Sequence, residues 1–197
     1  LLDQGKDAAM VVVGSHGRGG SSRLMLGSST NAVAAHATVP VVVTRGTAAS
    51  GAWREGPVVV GIDGSSVSES AIDFAFQAAA LRRNGLVAVH AWAQPDPLVD
   101  EAYAVLWEAA TRQSEARLAV SESLAGGRSK YPDVDVTDVI ADGHPVDALL
   151  AEAERVDAAL LVVGSRGRGG FAGLLLGSVS RGVLHHATCP VAVVRPV

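Results

Sequence analysis

Two stretches of this chain carry glycines at one spacing, Gly164-x2-Gly167-x9-Gly177-Ser178 and Gly14-x2-Gly17-x9-Gly27-Ser28. Glycine lets a backbone take crowded or left-handed conformations and approach a ligand with no Cβ between. Main-chain N–H groups in such a loop can then hold an anion. A Gly-Ser pair ahead of a helix adds the helix's unbonded first amides, the positive end of its dipole and a hydroxyl. Loop and helix start together could hold two or three phosphates. The charge pattern agrees with this chemistry. No Asp or Glu occurs from Ala8 to Arg45 or from Ala158 to Val197, although the chain's net charge is −4. The charges in those stretches are Arg18, Arg23 and Arg45, then Arg166, Arg168, Arg181 and Arg195. Arg166 and Arg168 read equally well as phosphate contacts or as solvated loop charges.

Other motifs fit less well. A Walker A loop needs Gly-Lys-Ser/Thr, and no Lys follows any of these glycines. Gly167-x-Gly169-x-x-Ala172 satisfies the dinucleotide fingerprint, but it follows a late strand, and no acid lies downstream to hold a ribose. The segment around Ser180 approaches a nucleophile elbow, yet Ser178 stands where the first Gly belongs. His185 and His186 diverge on a helix and have no Cys, His or Asp companions at ligand spacing, so no metal site is expected. His90, near the end of a strand, could flank a ligand, though a packed histidine is the favoured reading, and Cys189 is expected to be a small apolar residue.

Elements must place these residues at one crevice. The run Val58 to Asp63 reads as a strand buried on both faces. Ser66 and Glu69 have capping-box spacing ahead of a helix carrying Ile72, Ala75, Ala79 and Leu81 on one face and stopping at Asn84-Gly85. Leu86 to Trp92 is a second strand. A long helix is expected from about Leu98 to Leu124, ended by Gly126-Gly127, and Val134 to Ile140 reads as a strand nearer a sheet edge. Pro145 suits the first turn of a helix in which Val146, Leu149, Leu150, Ala153 and Val156 recur. A strand at Ala159 to Val163, the Gly-rich loop, a helix from about Ser178 to His185 and a strand at Val191 to Val194 complete the order. Such alternation demands an α/β fold, a doubly wound parallel five-stranded sheet with helices on both faces. Asp63 and Gly164, at the carboxyl ends of their strands, would face one crevice.

Residues 1–45 align without a gap on 151–195, with identity at about half the positions. DAAMVVVGSHGRGG matches DAALLVVGSRGRGG, and HATVPVVVTR matches HATCPVAVVR. The expected organisation is therefore the C-terminal half of a first unit (1–45), a linker of small residues (46–56) and a complete second unit (57–197). A half unit cannot bury its own sheet, so it should lean on the second unit or on another chain.

Composition sets the outer bounds. Hydrophobic residues make up 48% of the 197, enough for a sizeable core. Apolar runs such as Ala9 to Val13 and Leu160 to Val163 fall far short of the roughly 20 residues a membrane span needs. A single cysteine and no leader-like start point to a reducing, cytoplasmic setting. The acidic balance argues against nucleic acid as a partner.

The paired glycine motifs, VVVGIDGS at Val58 to Ser65 and the closing PVAVVR resemble the universal stress proteins of the ATP-binding type over residues 57–197 and, as a half domain, 1–45. The resemblance implies ATP in the crevice, with or without Mg²⁺. It implies Gly61 and Asp63 near the ribose and adenine and Ala91 beside the base. Val163, Gly164, Ser165, Arg166, Gly167, Arg168, Gly169 and Gly170 would line ribose and phosphates. Gly177, Ser178, Val179 and Ser180 would close on the triphosphate. It further implies pairing of the last strands, Val41 to Val43 beside Val191 to Val194, in a homo-oligomer or tandem pseudo-dimer. The first copy lacks a first strand and a counterpart of Asp63, leaving Gly14, Gly17, Gly27 and Ser28 as a weaker half-site. Phosphoryl transfer needs a positioned nucleophile and usually acids for Mg²⁺, and the phosphate side offers none. The expected function is nucleotide-dependent regulation or stress response with little or no turnover; the alternatives are a slow ATP hydrolase or phosphoryl- or nucleotidyl-transfer enzyme, and a scaffold with an empty site.

Overall fold

The computed structural model describes residues 2–3, 5–15, 26–45, 54–92, 102–167 and 175–196. Its elements run β1 (Val11–Gly14), α1 (Ser28–His36), β2 (Val41–Thr44), β3 (Val58–Gly61), α2 (Ser66–Arg82), β4 (Leu86–Trp92), α3 (Ala102–Lys130), β5 (Val136–Asp142), α4 (Pro145–Arg155), β6 (Leu160–Gly164), α5 (Ser178–His186) and β7 (Val191–Val194). The seven strands form one sheet in the order β1-β2-β7-β6-β3-β4-β5. All neighbours are parallel except β2 and β7. The five strands expected of residues 57–197 are thus present, and the first segment extends their sheet by two.

Strand side chains alternate between the faces, and each face is covered. Val59, Val87, Leu161, Val163, Val191 and Val193 pack with Val33 and Ala34 of α1, Leu149 of α4 and Val183 and Leu184 of α5. Val58, Val60, Leu86, Leu160 and Val162 pack with Ile72, Ala75 and Phe76 of α2 and Val120 and Leu124 of α3. Burial on both sides explains why these strands are continuous Val and Leu runs. At the β1 end the second face lies open: Val12 is 58% exposed.

The junction of β2 with β7 is reciprocal. Val42 stands opposite Ala192, its counterpart in the repeat, with Val41 opposite Val193 and Val43 opposite Val191. The arginines that follow cross over in matching fashion. Arg45 donates to the carbonyl of Leu184 in α5, while Arg195 donates to the carbonyls of Ala34, the counterpart of Leu184, and Ala35 in α1. Burial pulls both guanidinium groups below their ordinary range; at Arg195 the nearby charge of Arg166 adds to this.

Several local expectations are corrected. The cap of α2 is Ser65, whose Oγ accepts from the amide of Ser68, so Ser66 opens the helix instead of capping it. Leu81 is 80% exposed, because it follows Ile72 by nine residues, two and a half turns, and so points away from the face of Ile72, Ala75 and Ala79. Helix α3 runs through Gly126-Gly127 to Lys130. Gly127 is there for packing: a Cβ would lie 2.2 Å from the Phe76 ring. The expected start of that helix near Leu98 lies outside the described residues. Strand β5 occupies the sheet edge, as expected, beginning at Val136. Cys189 is 1% exposed, and burial pushes its thiol up, the behaviour of an unreactive packed side chain.

Replacing Arg195 by Ala removes hydrogen bonds to main-chain carbonyls across the β2·β7 junction. The expected loss is about 2 kcal/mol, read as a lower urea midpoint, with amide exchange accelerating first in β1, α1 and β2.

Candidate functional site

The chain reverses direction across the sheet at β3, with β4 and β5 on one side and β6 and β7 on the other. At the carboxyl ends of these strands lies a cavity of about 480 Å³. Ligands of open α/β sheets bind at such a switch point. Its walls come from the ends of β3 (Gly61, Ile62, Asp63), β4 (Val89, Ala91) and β6 (Val163, Gly164, Arg166, Gly167), and from the starts of α4 (Pro145, Leu149) and α5 (Gly177 to Arg181); Ser68 of α2 joins them.

Helix α5 gives the cavity its electrostatic sign. Gly177 caps it with no side-chain hydrogen bond, and the first turn carries no acid. The amide of Gly177 donates to the carbonyl of Ser165 at 2.7 Å, and the Ser180 Oγ donates to the carbonyl of Gly164 at 2.6 Å. These two bonds hold the first turn against the end of β6. The Ser180 hydroxyl gives its one proton there, so this residue, 2% exposed, has only its amide to donate to an anion. No described residue accepts from the amides of Ser178, Val179 or Ser180. Those amides and the aligned peptide dipoles make the helix start electropositive.

Asp63 stands across the cavity. Its Oδ1 accepts from the Ser65 amide at 2.9 Å and the Ser65 hydroxyl at 2.6 Å, an Asx turn completed by Gly64 at φ 73. The turn fixes the carboxylate at the cavity wall. Gly167 has no room for a side chain: a Cβ would lie 2.6 Å from the Asp63 Oδ2. Leu149 walls the floor, its methyls 3.2 Å from where a Cβ on Gly61 would be.

Of the residues singled out in the sequence, Gly61, Asp63, Ala91, Val163, Gly164, Arg166, Gly167, Gly177, Ser178, Val179 and Ser180 line this one cavity. Ser165 does not. It is fully buried, its amide donates to the carbonyl of Val194, and its hydroxyl has no partner among the described residues. Arg168, Gly169 and Gly170 lie outside the described residues, as does Gly17. Gly14, Gly27 and Ser28 repeat the helix start in the first segment: the Thr30 Oγ1 donates to the carbonyl of Gly14 at 2.7 Å and the Gly27 amide to that of Ser15 at 2.9 Å. They do not line the cavity. His90 is packed, its Nδ1 2.8 Å from the carbonyl oxygen of Ile62. Among the described residues no group of three His, Cys, Asp or Glu could hold a metal, and no helix is long and apolar enough to cross a membrane.

Sequence reasoning missed Ile62, Ser68, Val89, Pro145, Leu149 and Arg181. Val89 shares a strand face with Ala91, and Arg181 lies one turn beyond Ser178, so alternation and helical spacing could have found both.

Geometry thus defines a doubly wound α/β protein with an anion-favouring cavity at its switch point. The residues match the universal stress protein family over 1–45 and 56–195. The chain belongs to that family. It is 44% identical over 196 residues to a universal stress protein of Mycolicibacterium smegmatis, covering 100% of this chain and 65% of that protein. The chain therefore spans about two-thirds of the length of that curated relative. Among solved structures it resembles a universal stress protein from Archaeoglobus fulgidus at 25% identity and a TM-score of 0.66, covering 99% of this chain and 63% of that one. It also resembles a universal stress protein in complex with cAMP, at 32% identity and a TM-score of 0.55, covering 72% of this chain and 98% of that one.

Ser65→Ala deletes the side-chain cap of α2 and the hydroxyl's part of the brace on Asp63, leaving the amide's. It is expected to cost about 1 kcal/mol in a urea or thermal melt.

Proposed function

We propose that this chain binds ATP or a related adenine nucleotide in the cavity and acts as a nucleotide-dependent regulatory or stress-response protein with little or no turnover. The observation that carries the reading is the start of α5, with its unclaimed amides at the wall of a cavity that no described acid but Asp63 lines. Val89, Ala91 and Leu149 supply apolar surface for a base. Asp63, held by Ser65, suits the ribose hydroxyls, and the amides of Ser178 to Ser180 suit phosphates. The similar structure in complex with cAMP supports an adenine nucleotide here.

Low turnover follows from the same chemistry. Hydrolysis asks for a nucleophile aligned on the terminal phosphate and acids to hold Mg²⁺. The carboxylate available is committed to Ser65 and stands against Gly167. Any Mg²⁺ would arrive on the nucleotide's own phosphates. The lone buried Cys189 fits the cytoplasmic setting.

In this reading residues 1–45 are the C-terminal half of a first unit, joined through 46–56 to a complete unit at 57–197, and the β2·β7 junction is a tandem pseudo-dimer contact. The matching ties of Thr30 to Gly14 and Ser180 to Gly164 support it.

Gently purified protein is expected to carry an adenine nucleotide, seen by chromatography after denaturation, and to turn over ATP below about 1 s⁻¹. Faster turnover would favour a hydrolase, and an empty site a scaffold. Gly167→Val should abolish retention while the far-UV circular dichroism stays unchanged; undiminished retention would contradict the site.

A further inference from the structure

We propose that Arg166 and Arg181, brought together on either side of Gly177, form a clamp that selects polyphosphate nucleotides over monophosphates and cyclic monophosphates. The inference rests on the nucleotide reading above and concerns which nucleotide the site prefers.

The juxtaposition turns on Gly177. A Cβ on that residue would lie 3.3 Å from the Arg166 Cα, and the Arg181 amide donates to the Gly177 carbonyl at 3.0 Å. One arginine thus leaves the end of β6 and the other the first turn of α5, and both line the cavity. Helical side chains lean toward the helix start, so Arg181 is directed over the turn that carries the free amides of Ser178 to Ser180.

Neither guanidinium has an ion-pair partner among the described residues. Elsewhere arginines do find carboxylates: Arg54 meets Asp157 at 2.8 Å, Arg128 meets Asp138 at 2.9 Å and Arg155 meets Glu152 at 2.6 Å. Beside the cavity the acid is Asp63, whose Oδ1 is taken by Ser65 and which makes no ion pair with either arginine among the described residues; the sequence itself has no Asp or Glu from Ala158 onward. Arg195 lies near enough to Arg166 for the two charges to repel, and its side chain is tied to the Leu175 carbonyl at 3.1 Å, just ahead of Gly177. Like charges gathered without an ion-pair partner among the described residues are relieved by an anion of several charges.

The first segment shows that the scaffold does not need these arginines. There the same positions hold His16 and Asn31. The helix start nonetheless repeats, with the Asn31 amide donating to the Gly27 carbonyl at 2.9 Å. A pair of arginines added to a framework that forms without them points to a ligand. Guanidinium groups meet phosphate oxygens through paired, charge-assisted hydrogen bonds, about twice as strong as neutral ones. The helix amides already suffice for one phosphate, so the arginines reward the further ones.

The test is calorimetric titration of the whole chain with ATP, ADP, AMP and cAMP, for the wild type, Arg166→Gln/Arg181→Gln and Arg166→Lys/Arg181→Lys. The wild type should hold ATP at least about tenfold more tightly than AMP or cAMP. In the Gln pair ATP affinity should fall by about tenfold or more, with AMP and cAMP changing less than about twofold; the Lys pair, keeping charge, should recover part of the loss. Both side chains are exposed, so the melting temperature should hold. Equal losses for all four nucleotides, or no loss for ATP, would overturn the clamp while leaving the nucleotide reading in place. A wild type that binds none of the four would overturn both.

Discussion

The site depends on how the first turn of α5 is fastened to the end of β6. Two hydrogen bonds do this, from the Gly177 amide to Ser165 and from the Ser180 hydroxyl to Gly164. They occupy the groups that a helix start could otherwise turn toward itself, and they aim the remaining amides into the cavity. A side-chain cap on α5 would have satisfied an amide internally and weakened its attraction for anions. Glycine at the cap leaves the dipole open. The carboxylate of Asp63 faces this positive end from β3, where it is braced by Ser65, so one wall suits phosphate and the other hydroxyl donors.

The same fastening occurs in the first segment, whose described residues do not line the cavity. Thr30 and Gly27 make the bonds of Ser180 and Gly177, which marks this pair of contacts as part of the framework, with the ligand chemistry added around it. What the second segment adds is the set of walls: β3 and β4 beside β6, and α4 packed so closely on α5 that a Cβ on Gly182 would lie 2.7 Å from the Val146 Cγ2. The reciprocal arginines then connect the two segments. Arg195 touches the α1 carbonyls and the Leu175 carbonyl together, so the edge of the cavity and the β2·β7 junction share one side chain.

Much of this was legible in the residues. Alternating runs of apolar strand and helix dictate the parallel sheet, the duplication foretells that β2 and β7 are equivalent, and glycine spacing with carboxylate depletion marks the anion side. Local endings were harder. Ser65 and Ser66 are both capping types, and only the Asp63 turn decides between them. Gly126-Gly127 looks like a helix stop, yet the Phe76 ring lies against Gly127 and the helix continues. Pro145 and Leu149 enter the cavity because α4 crosses back over the sheet, and no neighbouring residue announces that placement. Ser165 sits within the motif but turns into the core, since its amide completes the pairing of β6 with β7.

The most direct measurement is a crystal structure of the chain grown with an adenine nucleotide. The account predicts phosphate oxygens within about 3 Å of the Ser178, Val179 and Ser180 amides, a usual hydrogen-bond distance, with the ribose beside Asp63. Phosphates bound away from α5, or first-turn amides satisfied by the protein itself, would contradict it.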